Sequence, residues 1–207
     1  MNKGSKKAME PMPIPRHVHG SSLTFVKMLI GISIFFACLA AIFGVIAVHE
    51  CGHYLAGAAG GIPWSAMKIR LFTFPQHVAL KSEGRWLHPS RDYERYVAAS
   101  MSLLKDRTRA GFYVSGGLLS QTLAFVGLVF ALAGAGIPRF WVTPIVCALV
   151  SVPCLYLGFD LLFTRLAGRP CGDFSFLWKI SPVASFALTS FVLGFHGGVL
   201  VYLLKCA

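Results

Sequence analysis

Four runs of about twenty or more apolar residues, near 23–48, 111–134, 140–163 and 182–204, leave this 207-residue chain little room to fold as anything but a set of long helices. A helix needs roughly 20 apolar residues to cross the hydrocarbon core of a bilayer, and each run meets that length. With 56% of residues hydrophobic and only 13% charged, the chain is poor in the charge that a soluble domain of this size carries. The expected fold class is an all-α polytopic membrane protein with about four transmembrane helices. Residues 23–207 form one transmembrane domain, with spans at about 23–59, 111–134, 140–163 and 182–204 and a connecting segment at 62–110.

The first run exceeds the h-region of a cleaved signal peptide, and it ends in a cluster of ionisable residues where a cleavage site would need small ones. It is read as a retained span. The segment before it, "MNKGSKKAMEPMPIPRHVHGSS" (1–22), is basic and rich in Pro, Gly and Ser, a composition that cannot bury a core. It is expected to be a disordered tail. Six cysteines scattered through or beside the apolar runs form no CxxC pair, so no disulfide framework is expected.

A net charge of +11 could suit nucleic acid, but with four spans its use is orientation and contact with anionic lipid. Twelve Lys and Arg fall in the segments joining spans one to two and three to four, against seven on the other side. Basic loops stay in the cytoplasm, which places both termini outside. The expected protein is an integral, multi-pass one, of a bacterial inner membrane, whose partners are lipid and not nucleic acid.

The cluster ending the first run is "HECGH". Residues four apart lie on one helix face, so His49 and His53 can aim imidazole nitrogens at one point, which suits Zn²⁺. Glu50 projects beside that point and can take a proton from water, as the glutamate of H-E-x-x-H metalloproteases does. Chance would place roughly 0.005 such patterns in a chain of this composition. Ionisable groups inside a span are also costly and usually functional.

A zinc peptidase site generally takes a third protein ligand and keeps a fourth position open. In "YLGFDLLFTRLAGRPCGDFSFLW" (156–178), Asp160 ends an apolar helix, whereas Asp173 follows a Gly168/Pro170 break that lets the chain turn back. Asp173 is the expected ligand, with Asp160 or Cys171 as substitutes. Asp173 could instead cap a helix over "FSFLWKI", Asp160 could orient a ligand histidine, and His196 in "GFHGG" could either reach the metal or bond between helices.

At these residues the chain resembles the site-2 protease family of intramembrane zinc metallopeptidases, over roughly residues 40–180. That family pairs the H-E-x-x-H helix with a later Asn-x-x-Pro segment and an Asp-Gly whose aspartate is the third zinc ligand. "DLLF" stands where Asn-Leu-Leu-Pro would be, with Asp160 for the asparagine and Phe163 for the proline. "GRPCGDF" places Asp173 one residue late, before Phe174. "SGGLLSQTLAF" (115–125) stands in place of an Ala-Gly-Pro-x-x-Asn segment, so an amide donor is missing there unless Gln121 supplies it. Its small residues also permit close helix packing.

After the motif, "AGAAGGIPW" ends the helix, and "SAMKIRLFTFPQHVALKSEG" (65–84) alternates as a short β-hairpin turning at Pro75 and Gln76. The resemblance implies a membrane-associated hairpin here. Its edge around Lys68 to Phe74 could pair with an unwound substrate and replace the substrate's helical hydrogen bonds. Residues 86–109 are expected to lie at the membrane surface, anchored by Trp86, Tyr93 and Tyr96.

The function so implied is hydrolysis of a peptide bond in a membrane-embedded protein by a zinc metalloendopeptidase: Zn²⁺ as cofactor, His49, His53 and Asp173 as ligands, and Glu50 as general base. Two alternatives come from other classes. One is an inactive relative acting as a membrane chaperone or regulator; the other is a cation transporter or channel lined by His49, His53, Asp160 and His196.

Overall fold

The computed structural model describes residues 19–73 and 75–205. The tail expected at 1–22 lies outside the described residues up to position 18, and its last four residues already belong to the first helix. Among the described residues, six α-helices and one three-stranded sheet make up the fold: α1 (His19–Ala59), β1 (Met67–Arg70), β2 (His77–Ser82), β3 (Arg85–Leu87), α2 (Tyr93–Leu104), α3 (Arg107–Gly134), α4 (Arg139–Ala167), α5 (Asp173–Ile180) and α6 (Pro182–Lys205). Four of the helices, α1, α3, α4 and α6, are long and apolar enough to cross a membrane. They are the four runs seen in the sequence.

Three of these helix ends have a local reason. α1 stops at Gly60 and Gly61; Gly61 takes φ +103°, which costs little without a Cβ, and the Ile62 N–H returns to the Gly57 carbonyl at 2.9 Å. α3 begins four residues before its apolar run because Asp106 caps it, its Oδ1 accepting the Arg109 N–H at 2.8 Å. Arg109 also reaches the Gly60 carbonyl with Nη1 at 3.4 Å, tying the start of α3 to the end of α1. α4 stops at Gly168, φ +64°.

The sheet exceeds the expected hairpin by one strand. β1 pairs antiparallel with β2 in the register Met67 to Leu80, and β2 pairs with β3 in the register Leu80 to Leu87. Glu83 and Gly84, both at positive φ (50° and 77°), make the two-residue turn whose twist suits such a hairpin. β1 is an edge strand and carries the first part, Lys68–Arg70, of the edge expected over Lys68 to Phe74, whereas residues 71–73 leave the strand as a turn. Phe74 lies outside the described residues. Phe72 in the β1–β2 loop stacks on Phe43 of α1 with centroids 6.0 Å apart, so the loop runs back along α1 past the motif.

Of the expected surface anchors, Trp86 is exposed, but Tyr93 and Tyr96 turn inward. Tyr93 packs beneath the Arg169 guanidinium, 4.8 Å from its ring. Tyr96 donates its hydroxyl proton to the Val78 carbonyl at 2.8 Å and accepts from the Tyr113 hydroxyl at 2.8 Å. An inward polar partner outbids the surface for each ring.

Among the described residues, three apolar clusters lie about the C-terminal half of α1 and the helices packed near it. Ile62, Met67, Val78, Leu80, Leu104 and Tyr113 join the sheet to α2 and α3; Val45, Phe125, Val146 and Leu149 join α1, α3 and α4; Leu118, Phe174 and Val192 join α3, α5 and α6. The H-E-x-x-H turn lies among them.

Candidate metal centre

α1 and α3 cross with almost no side chain between them. A methyl on Gly52 would meet Ser120 Cβ at 2.7 Å, and one on Gly116 would meet Ala56 Cβ at 2.5 Å. Small residues allow this approach, as the sequence suggested for 115–125. The Ser120 hydroxyl reaches the Val48 carbonyl at 3.0 Å and fastens the crossing one residue before His49.

His49, Glu50 and His53 are all buried, at 8%, 6% and 7% exposure. His53 Nδ1 lies 2.9 Å from the Tyr113 carbonyl oxygen, which can only accept, so Nδ1 carries the proton and Nε2 is left with its lone pair when the ring is neutral. His49 Nδ1 likewise donates to Gln121 Oε1 at 3.0 Å. Fixing the outer nitrogen in this way is how proteins orient metal-binding histidines. The two Nε2 atoms face each other 3.0 Å apart.

Asp173, the first residue of α5, completes the group. Its Oδ2 lies 2.9 Å from His49 Nε2 and 3.1 Å from His53 Nε2. The N-cap position belongs to Gly172, so the capping role considered for Asp173 is not the one it takes. Just before it, Gly172 lies so close to Asp160 that a Cβ would sit 2.7 Å from Asp160 Cγ.

Asp160 is almost fully buried, but its oxygens are spent elsewhere. Oδ2 accepts the Ser175 N–H at 2.9 Å; Oδ1 accepts the hydroxyls of Ser175 and, at 3.0 Å, Thr164. One turn earlier on α4, Tyr156 offers its phenol oxygen to the Asp173 N–H at 3.1 Å. Two residues of α4 thus receive the first turn of α5, satisfying amides that a helix start leaves open. Cys171 Sγ is turned to the Arg169 carbonyl at 3.4 Å, and His196 bonds to Val192 and stacks on Phe125 at 4.2 Å. Neither joins the group.

Two nitrogen lone pairs and a carboxylate oxygen within 3.1 Å of one another repel unless a proton or a metal ion lies between them. Around a tetrahedral ion with bonds of about 2.0–2.1 Å, neighbouring ligand atoms are roughly 3.3 Å apart, close to this spacing. Gly117 clears the space: a Cβ there would press on His53 Nε2 and lie 2.8 Å from His49 Cε1. His49, His53 and Asp173 can therefore hold a metal ion. Two buried atoms beside them have no hydrogen-bond partner among the described residues, Glu50 Oε2, an acceptor, and Gln121 Nε2, a donor.

The sequence singled out Gln121 only as a stand-in donor and did not reveal its bond to His49. Tyr113 and Tyr156 were not foreseen as site residues; an aromatic in an apolar run gives no signal of a partner 60 or 17 residues away. Outside the long helices, His77 and His88 stack with centroids 4.0 Å apart. Burial holds both imidazoles below their ordinary pKa, helped by Arg70 and Arg91 at His77 and by His77 and Arg91 at His88. Searches against protein-family models, curated proteins and solved structures give no match to this chain.

Proposed function

We propose that this chain is a minimal intramembrane zinc peptidase of the site-2 protease kind, an integral membrane protein that cuts a peptide bond in a membrane-embedded substrate. The observation that carries the reading is the convergence of ligand atoms from His49, His53 and Asp173, with Glu50, the residue after His49, buried and keeping one oxygen without a hydrogen-bond partner among the described residues. Two nitrogens and one carboxylate oxygen suit zinc with a position left open. When held by His49, His53 and Asp173, zinc supplies Lewis acidity to a carbonyl and makes a water easier to deprotonate.

The chain's own residues do the rest. Glu50 takes the water proton and returns it to the leaving amine. Gln121 and the Tyr113 carbonyl keep the two imidazoles in the tautomer that faces inward. The free side of β1 offers backbone groups to a substrate whose helix has unwound.

A cation path through His49, His53, Asp160 and His196 has less support, since Asp160 is committed to Ser175 and Thr164 and His196 to Val192 and Phe125. A chaperone or regulator without activity has no use for Glu50 beside the ligands.

The test is metal analysis with cleavage. Purified wild type should hold about one zinc per chain and cut a single-span reporter in proteoliposomes, while Glu50→Gln should keep the zinc and lose cleavage. Undiminished cleavage by Glu50→Gln would overturn the mechanism.

A further inference from the structure

The phenol of Tyr156 is a hydrogen-bond donor whose proton has no acceptor among the described residues. Its oxygen accepts the Asp173 N–H at 3.1 Å, and that is its single hydrogen bond. The ring meets His49 edge-on, with centroids 5.7 Å apart and planes at 83°, and packs on Phe174 at 5.8 Å, which fixes it between a ligand imidazole and the first turn of α5. The phenol oxygen thus sits beside Asp173, the residue that would supply the carboxylate ligand.

We propose that Tyr156 is a catalytic residue of the peptidase reaction, donating its phenolic O–H as a hydrogen bond to the scissile carbonyl oxygen as negative charge develops there. The proposal rests on the peptidase reading above. In the step, the water oxygen bonds to the carbonyl carbon and its proton passes to Glu50; the C–N bond then breaks and that proton goes to the amine. Tyr156 keeps its own proton throughout. Donors fixed where charge appears cost no reorganisation and act strongly in a dry site. The Asp173 N–H strengthens the donor, because an oxygen that accepts a hydrogen bond gives up its own hydrogen more readily to another.

The discriminating variant is Tyr156→Phe, which keeps the ring on His49 and Phe174. It also takes the acceptor from the Asp173 N–H, so zinc affinity is measured separately, by chelator competition with zinc alone. The control is Asp160→Ala, which frees α5 without touching the phenol and should weaken zinc binding and slow cleavage together. For Tyr156→Phe the expected result is zinc affinity within about threefold of wild type, KM for the single-span reporter little changed, and kcat lower by about 100-fold. Cleavage within about threefold of wild type, or zinc affinity falling in step with kcat as in the control, would overturn the proposal and leave Tyr156 as a support for α5. A zinc-loaded wild type that cuts no reporter would bring down the peptidase reading and this role with it; an active wild type beside an equally active Tyr156→Phe would bring down this role alone.

Discussion

The Asp160 carboxylate, buried in α4, accepts the backbone N–H of Ser175 at 2.9 Å, two residues beyond Asp173. Through this bond a residue that does not face the two histidines fixes the direction from which the third ligand approaches them. The turn before α5 is short and contains Gly172, so without this anchor Asp173 would have many other orientations available.

Three substitutions separate the ligand from its support. Asp173→Ala should lower zinc from about one ion per chain to a small fraction, because a ligand is lost. Asp160→Ala should weaken zinc binding by about 10–100-fold, the usual cost of losing an orienting partner. Asp160→Asn should keep most of the zinc, since its oxygen can still take the Ser175 N–H while the Ser175 and Thr164 hydroxyls rotate to accept from its amide. Metal analysis after gel filtration checks all three. An empty Asp160→Asn beside a loaded Asp173→Ala would reverse the roles.

Gly117→Ala is the smallest change that should empty the centre. The added methyl would occupy the space between the two imidazoles, 2.8 Å from His49 Cε1, and α3 cannot retreat while Gly52 and Gly116 hold the crossing closed. Circular dichroism should show helix content unchanged, with zinc affinity reduced by about 100-fold. Retention of full zinc would mean that the crossing is looser than these contacts indicate.

The sheet should weaken in acid. His77 and His88 have pKa values lowered by folding, so the unfolded chain binds protons more readily than the folded one near pH 6.5. Their contribution to stability is complete above about 6.5 and is lost as pH falls toward their folded values. Amide exchange at Val78–Leu80, corrected for intrinsic rates, should quicken between pH 7.5 and 5.5, and His88→Asn should flatten the change. An unaltered pH profile in that variant would dissociate the effect from this pair.

The membrane reading predicts an orientation. With the basic residues concentrated between α1 and α3 and between α4 and α6, Lys81→Cys should react with an impermeant thiol reagent only after the cytoplasmic face is opened, in a background lacking the native cysteines. Labelling of intact cells from outside would invert the topology.

The long helices and the His49, Glu50, His53 face were legible because they are local: an apolar run or an i, i+4 pair announces itself within a few residues. Asp173 could be picked out from the Gly168/Pro170 break, although nothing local says which of Asp160 and Asp173 points inward. That depends on Tyr156 and Asp160 receiving the α5 amides, a matter of how α4 and α5 meet. β3 escaped notice because it has three residues, and Glu83-Gly84 is a weaker turn signal than Asn-Gly. Tyr93 and Tyr96 were read as surface anchors by residue type; Arg169 and Val78, which hold them, are distant in sequence.

The tie between Arg109 and Gly60 also sets a depth. Arg109 keeps its charge near water, and Gly117, directly beneath the ligand imidazoles, lies eight residues further along α3, or about 12 Å at 1.5 Å per residue. In a bilayer with a hydrocarbon core of about 30 Å, that is within about 3 Å of the middle. Under the peptidase proposal, a helical substrate cut at this level would leave pieces of about 8 and about 12 apolar residues, and since both fall short of the roughly 20 a span needs, the cut would loosen both halves from the lipid.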